Sequence, residues 1–347
     1  MDATVQILLA MAGYMLIVIL IGLFFAKKSQ ANSENYFLGG RSLGPWVAAM
    51  SAEASDMSGW LLMGLPGVAY WCGIADAAWT AIGLALGTYI NWLIVSKRLR
   101  AYSTVSGDAI TVPDFLSNRF HEKKKVILAI SATFILIFFT VYAASCFVTC
   151  GKLFSNLFGF SYHSMLIVGA VFVLIYTILG GFLAESASDF MQAIVMIVAL
   201  VGGLVCGVVR AGGLEAVLEN ARSIPGLLSL TSQASPVVDA NGIQQAANDA
   251  PLFGDATPYG ILTILSTLSW GLGYFGMPQV LLRFMAIRKR SELTRSRRIA
   301  TVWVLISLTA AVFIGVLGRK LLPVEPALAS ASGAENVFAQ LAKLLFH

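Results

Sequence analysis

The stretch MSAEASDMSGWLLMGLPGVAYWCG at residues 50–73 is long and apolar enough for a membrane-spanning helix, yet it contains carboxylates and helix breakers. A helix crosses the hydrocarbon core of a bilayer with about 20 apolar residues. Glycine and proline destabilise a helix, and the backbone groups they free must be satisfied inside the protein because lipid cannot do so. The stretch therefore predicts an interrupted transmembrane helix whose open backbone lines a cavity or coordinates an ion.

A second stretch of this kind, STLSWGLGYFGMPQVLLRFM at residues 266–285, contains three glycines and Pro278. For either stretch alone, the alternative explanation is small residues that let neighbouring helices pack closely. In the order of apolar segments the two stretches are five crossings apart, so they run in opposite directions. This spacing is typical of inverted-repeat secondary transporters with discontinuous helices, and it favours interruption at both places.

The composition places the whole chain in a membrane. The chain is 58% hydrophobic and 12% charged, whereas soluble domains carry about 25% charged residues. We predict an all-α integral membrane protein with eight spans, at 5–26, 46–70, 76–95, 127–150, 163–183, 190–209, 259–284 and 299–319. We predict amphipathic helices near 214–222, within an outer loop at 211–258, and at 335–346.

The distribution of basic residues predicts the orientation. With the N-terminus outside, the inner loops carry 17 of the 23 lysines and arginines, Arg283 among them, and the outer side carries 6, including Arg319. Cytoplasmic loops are enriched in these residues. The asymmetry accounts for the net charge of +5 without a nucleic-acid partner.

Asp56 is the residue in the first stretch that most strongly indicates function. A carboxylate at bilayer depth costs about 2.5–3.5 kcal/mol, so it should meet a cation or a donor inside the protein. Hydrogen bonds to the adjacent serines are one explanation. The other is sodium, because carboxylate, hydroxyl and carbonyl oxygens suit a hard cation. Glu53 is assigned no role, since it lies nearer the inner end, where water can solvate it.

Several motifs resemble the sodium:solute symporter family, in particular its proline-transporting branch. They are ASDMSGWLLMGLPG at 54–67, SWGLGYFGMPQVLLRFMA at 269–286, NYFLGGRSLGPW at 35–46, VPDFLSNRF at 112–120 and FFTVYAAS at 138–145. The resemblance implies one transporter domain over 1–347 with a LeuT-like inverted-repeat fold. Its parts would be an extra helix at 5–26, a first five-helix repeat at 46–209 and a partial second repeat at 259–347.

The resemblance also implies roles for individual residues. The family's sodium-binding positions match Ala54, Asp56, Met57 and Ser58. Its substrate-binding positions match Ser58, Gly59, Tyr142, Trp270, Tyr274 and Pro278. Arg41, in an inner loop, and Asp189, in a short inner turn, match positions tied to coupling or to the ion path. Aromatic faces can pack the proline ring and attract its positive nitrogen. The alternative is ordinary core packing or a place in the interfacial aromatic belt, which we assign to Trp60, Tyr70 and Trp71.

The function that follows is uptake of L-proline across the bacterial plasma membrane by alternating access, driven by the sodium gradient. Sodium would be the coupling ion, with no organic cofactor and no enzymatic reaction. The alternatives are another small amino acid or a carboxylate as substrate, or a transporter-derived membrane sensor. Family members have about thirteen helices and this chain about eight, so the helix that supplies further sodium-binding hydroxyls is missing. We therefore expect the chain to be C-terminally truncated and inactive in transport on its own.

Overall fold

The computed structural model describes residues 3–346, without the side chains at 3, 4, 156 and 157; residues 1–2 and 347 of the predicted domain lie outside it. Helices dominate this range, which confirms the all-α class. The α-helices are α1 (Ala3–Ser29), α2 (Ser33–Leu38), α3 (Pro45–Met57), α4 (Gly64–Cys72), α5 (Ile74–Val105), α6 (Val112–Arg119), α7 (Val126–Phe158), α8 (Tyr162–Arg210), α9 (Leu214–Arg222), α10 (Ile261–Leu268), α11 (Pro278–Ala286), α12 (Leu293–Leu321) and α13 (Val337–Phe346). The antiparallel strand pairs are β1 (Ser232–Gln233) with β4 (Thr257–Pro258), and β2 (Ala246–Ala247) with β3 (Ala250–Pro251).

Within residues 3–346, five helices are long and apolar enough to cross a membrane. They are Val5–Ser29, Ile74–Val105, Val126–Ser155, Tyr162–Arg210 and Arg290–Leu321. These five helices contain six of the eight predicted spans, because α8 includes both 163–183 and 190–209. The remaining two spans are the stretches in which we predicted interruptions.

The first broken span consists of α3, a short 3₁₀ turn at Gly59–Leu61, and α4. Helix α3 ends at Met57 because Ser58 has a φ of 49° and a ψ of −159°, which no α-helix accommodates. The Ser58 hydroxyl oxygen accepts a hydrogen bond from the Trp60 backbone N–H at 3.4 Å and so caps the turn. The predicted interruption is confirmed.

The second broken span consists of α10, a 3₁₀ segment at Ser269–Phe275, and α11. Met277 is extended, with a φ of −72° and a ψ of 107°, and separates the 3₁₀ segment from α11. Helix α11 starts at Pro278, whose missing N–H is no loss in the first helical turn. The second predicted interruption is also confirmed.

Helix α8 differs from the prediction. Its 49 residues would extend about 74 Å as one straight helix, and the chain breaks at Gly181, with a φ of 54° and a ψ of −152°. A Cβ atom there would lie 2.8 Å from the Tyr36 carbonyl oxygen. The predicted short turn around Asp189 is therefore wrong, because Asp189 is helical. The polar residues beside it misled the prediction: Ser186 and Ser188 are completely buried rather than in a loop.

The chain divides into two compact units, and the division falls within both broken spans. Unit 1 contains the described residues up to Asp56, together with Tyr89–Ala193 and Tyr274–Thr301. Unit 2 contains Met57–Thr88, Ile194–Gly273 and the described residues from Val302 onward.

In unit 2, the segment 211–258 is more than the surface loop that we predicted. The amphipathic helix α9 is confirmed, with Val217 and Ala221 buried. Beyond α9, Leu227 is fully buried, and its carbonyl accepts from the Ile74 N–H at 2.8 Å. The Trp79 indole N–H donates to the Leu230 carbonyl at 2.8 Å. These contacts fix the segment to the start of α5.

Candidate functional site

The C-terminal end of α3 is the part of unit 1 where four of the predicted site residues lie together, namely Ala54, Asp56, Tyr142 and Tyr274. The Tyr274 hydroxyl lies within hydrogen-bonding reach of the Asp56 carboxyl group. The Tyr142 hydroxyl of α7 donates to the Ser55 carbonyl at 3.2 Å. Three residues that lie far apart in the sequence, Asp56, Tyr142 and Tyr274, thus converge on one helix end.

Asn91 of α5 holds Tyr274 in this position. Its side-chain amide donates to the Tyr274 carbonyl at 2.8 Å. Asn91 is 1% exposed and Tyr274 5% exposed, so the bond lies in the interior of unit 1. Sequence reasoning missed Asn91 because a single amide in an apolar helix shows no spacing that links it to a segment 183 residues away.

Glu53 lies one helical turn before Asp56 and differs from the prediction. We expected solvation near the inner end, yet Glu53 is 3% exposed. Its Oε1 accepts a hydrogen bond from the Trp92 indole N–H at 3.0 Å, and the Trp92 ring packs edge-on against Phe284 at 4.4 Å between centroids. A buried carboxyl group needs such a donor, because leaving it unpaired is costly.

An oxygen-rich helix end of this kind fits a hard monovalent cation. The last carbonyls of a helix have no further intrahelical partner, and a helix C-terminus carries about half a negative charge. In unit 1 the last carbonyls of α3 belong to residues 54–56, beside the Asp56 carboxyl group and the Tyr274 hydroxyl. Carboxylate, carbonyl and hydroxyl oxygens are the ligands that hard cations prefer.

Three other predicted site residues lie in unit 2. Ser58 and Gly59 are at the interruption of the first broken span, and Trp270 is in the 3₁₀ segment of the second. Trp270 is 52% exposed, and its ring contacts the Trp60 ring edge-on at 5.1 Å between centroids. Trp60, which we assigned to ordinary packing or the interfacial belt, thus packs against a residue that we predicted to bind substrate. Ser58 caps the 3₁₀ turn that begins at Gly59.

Arg41 lies among the turns that precede α3 and follow α5, beside the last turn of α11. Its guanidinium group donates to the Met285 carbonyl at 3.0 Å, to Asp108 at 2.9 Å and to the Ala109 carbonyl at 3.0 Å. The side chain is 8% exposed. Arg41 therefore joins three chain segments at one end of unit 1 and satisfies a carbonyl in the last turn of α11.

Asp189 forms a buried ion-pair network with Arg283 in unit 1. Asp189 accepts from Arg283 at 2.8 Å and from the Ser51 hydroxyl at 2.9 Å. Arg283 also pairs with Glu185 at 3.1 Å and lies over the Phe182 ring at 5.1 Å from its centroid. We counted Arg283 among the inner-loop cations, which is wrong: it is 1% exposed and neutralised by two carboxylates.

Comparisons with known proteins identify the family of the chain. The sequence model of the sodium:solute symporter family matches residues 36–347. The sodium/proline symporters of Staphylococcus aureus strains USA300 / TCH1516 and JH9 are each 39% identical over 346 residues. The alignments cover 100% of this chain and 62% of each relative, so the chain spans less than two thirds of their length.

A solved structure gives the same fold. The substrate-bound outward-open state of a Na⁺-coupled sialic acid symporter matches with a TM-score of 0.69 at 15% sequence identity. The match covers 95% of this chain and 68% of that chain. It confirms the LeuT-like transporter fold of a multi-pass membrane protein. With a family match over most of its length, the chain belongs to the sodium:solute symporter family.

Proposed function

We propose that the chain forms the ion- and substrate-binding part of a sodium-coupled L-proline symporter in the bacterial plasma membrane. The family membership and the names of the Staphylococcus aureus relatives support this function. The observation that carries it is the convergence of Asp56 and Tyr274, one from each broken span, at the end of α3. Transport needs no chemical conversion, so we assign no catalytic residue and no organic cofactor.

In unit 1 we assign sodium to the Asp56 carboxylate and the Ala54 carbonyl. Ala54 is 8% exposed and lies in the last turn of α3. Among the described residues, neither Asp56 nor Glu53 forms an ion pair with a basic side chain. A bound cation would supply the charge that this end of unit 1 lacks, as buried charges require a partner.

For proline we assign Tyr142, Tyr274 and Pro278 in unit 1. Tyrosine faces can pack an apolar ring and attract a positive nitrogen, and Pro278 starts α11, whose N-terminal end carries a partial positive charge that can attract a carboxylate. The roles of Met57 and Ser58 in sodium binding, and of Ser58, Gly59 and Trp270 in substrate binding, rest on the family resemblance alone.

Arg41 and Asp189 are proposed to act on coupling and on the ion path. The contacts of Arg41 with the end of α11 support an effect on the second broken span. Asp189 is held by Arg283, which extends from α11. Both residues would therefore act through the helix that starts at Pro278.

The chain's topology is proposed to follow the family. The N-terminus would lie outside, because the inner loops then carry most of the basic residues. Residues 46–209 would form the first repeat and 259–347 part of the second, with 211–258 as the outer segment. The membrane potential supplies about 2.3 kcal/mol per charge per 100 mV. One sodium per proline would thus support about 50-fold accumulation of proline at that potential.

The test is a chimera in which this chain replaces the aligned 62% of the Staphylococcus aureus symporter, expressed in cells that lack proline uptake. We expect uptake of labelled proline that requires sodium and that unlabelled proline inhibits better than other amino acids or carboxylates. Equal uptake in potassium would refute sodium coupling. If another small amino acid or a carboxylate inhibits the uptake more strongly than unlabelled proline does, that solute would be the substrate instead.

A further inference from the structure

Arg319 lies in the last turn of α12 and is 1% exposed, although we counted it among the outer-side cations. In the part of the chain that the structure describes, no ion pair involves Arg319. Its chemistry therefore differs from that of Arg283, which is buried beside two carboxylates. A buried guanidinium group without a carboxylate needs another source of negative charge.

The ends of two helices supply that charge. The Arg319 Nε donates to the Tyr70 carbonyl at 2.5 Å, and Nη2 donates to the Trp71 carbonyl at 3.4 Å. Both carbonyls belong to the last turn of α4, where a helix leaves its acceptors unpaired. Arg319 also lies in the last turn of its own helix, and each helix C-terminus carries about half a negative charge.

The two helices cap each other at this point. The Tyr70 hydroxyl donates to the Leu322 carbonyl at the end of α12 at 2.8 Å. The Tyr70 ring also faces the Arg319 guanidinium group, at 3.9 Å from its centroid. One tyrosine and one arginine thus satisfy carbonyls at both helix ends, and the cation cancels the repulsion between two negative termini.

Glycines bring α4 and α12 close enough for this arrangement. A Cβ atom on Gly315 would lie 2.8 Å from the Tyr70 backbone nitrogen and would collide with the Pro66 carbonyl oxygen. A Cβ atom on Gly318 would lie 3.0 Å from the Tyr70 ring. The backbones are therefore in direct contact along the turns that precede Arg319.

The outer segment of unit 2 covers Arg319 from the other side. Gln244 Oε1 accepts from Nη1 at 2.9 Å, and the Phe253 ring lies 4.9 Å from the guanidinium carbon. Gln244 is itself tied down, because its backbone N–H donates to the Ala329 carbonyl at 2.6 Å. The hairpin of β2 and β3 is thus attached to the same cation.

We propose that Arg319 is a positioning residue for α4, the second half of the first broken span. Its charge neutralises the adjoining C-termini of α4 and α12, and its forked side chain fastens the segment 244–253 over them. Helix α4, the part of α12 from Val302 to Leu321 and this segment then behave as one body within unit 2. The importance of this body for transport rests on the proposed function. The claim that its parts hold together does not depend on that function.

The test is hydrogen exchange of the chain in lipid nanodiscs, read by mass spectrometry for the amides of 68–72 and 244–253. We expect Arg319→Met to speed exchange in both segments by about tenfold. Arg319→Lys keeps the charge and should restore slow exchange in 68–72 but not in 244–253. The control is Arg210→Met, since Arg210 ends α8 with its side chain exposed, and it should leave both segments unchanged.

Unchanged exchange rates in Arg319→Met would overturn the proposal. So would an exchange rate of the 68–72 amides in Arg319→Lys equal to that in Arg319→Met. If Arg319→Met does not fold, Gln244→Met decides, because it removes the acceptor on the outer segment alone. In Gln244→Met we expect faster exchange only for the amides of 244–253. An equal increase in the exchange rate of 68–72 would contradict the role of Arg319. None of these readings needs sodium or proline, so they are independent of the proposed function.

Discussion

The Tyr274 hydroxyl, from the second broken span, lies within hydrogen-bonding reach of the Asp56 carboxyl group. Tyr274→Phe removes this donor and keeps the ring. Hydrogen bonds to charged groups contribute about 1.5–3 kcal/mol, so we expect the sodium concentration for half-maximal proline uptake by the chimera to rise about tenfold or more. The measurement is uptake as a function of sodium concentration.

The matched control for this substitution is Tyr102→Phe, because Tyr102 is 47% exposed and lies at the end of α5. We expect its sodium dependence to equal that of the parent chimera. If Tyr274→Phe leaves the sodium dependence unchanged but lowers proline affinity, Tyr274 contacts only the substrate and the proposed link to Asp56 is wrong.

The bond between Trp92 and Glu53 makes a separate prediction about stability. Trp92→Phe leaves the buried Glu53 carboxyl without its indole donor, which costs about 1–3 kcal/mol or more for a charged group. We expect the thermal unfolding temperature of the purified chain to fall by several degrees, and Glu53→Gln in the same background to recover part of the loss.

Trp79→Phe is the comparison for this prediction, because the Trp79 indole donates to a neutral carbonyl, that of Leu230, at 2.8 Å. We expect the smaller loss there. A larger loss for Trp79→Phe would mean that the Glu53 carboxyl has little influence on the stability of the fold.

At the residue scale, the sequence indicated single residues that form polar contacts better than it indicated the partners of those residues. Asp56 was proposed because a carboxylate in an apolar run needs a partner, and Tyr274 because it matches a substrate-binding position of the family. Arg283 was missed because its partner Asp189 is 94 residues away and both appeared to be in inner loops. Side-chain pairs that form only in the folded chain leave no periodic pattern in the sequence.

At the scale of elements, α5 lies in direct backbone contact with the start of the 3₁₀ segment in unit 2. A substitution can test this contact. A Cβ atom on Gly87 would lie 2.7 Å from the Gly271 Cα atom. Small residues allow such backbone contact between membrane helices. We therefore expect Gly87→Ala to displace the 3₁₀ segment and to reduce proline uptake by the chimera severely.

Gly202→Ala is the control for this prediction, since a Cβ atom there meets nothing within 4 Å, and its uptake and unfolding temperature should match the parent. Normal uptake in Gly87→Ala would show that the 3₁₀ segment tolerates a shift away from α5, contrary to the account.

The elements themselves were predicted where glycine, proline and hydropathy agree. Both interruptions, α9 and the terminal helix α13 were located by these signals. Helix α8 was not, because the buried serines near Asp189 look like a turn in sequence, whereas the actual break is at Gly181, inside an apolar run. A polar residue inside a membrane protein does not by itself distinguish a loop from a packed interior.

For the whole molecule, we expect cation binding near Asp56 to be coupled to the transport of proline. The family membership and the two interrupted spans make sodium symport the expected function, while the chain spans 62% of the length of its Staphylococcus aureus relatives. A chimera with the full length of these relatives therefore provides the appropriate protein for a flux measurement. Asp249→Asn, at an exposed loop position, controls for loss of a carboxylate.

The most direct measurement is the influx of radioactive sodium into proteoliposomes that contain the chimera, with and without proline outside. We predict that proline stimulates sodium entry in a fixed ratio to proline entry, that Asp56→Asn abolishes both fluxes, and that Asp249→Asn abolishes neither. Proline entry without proline-stimulated sodium entry, or normal coupling in Asp56→Asn, would contradict the account.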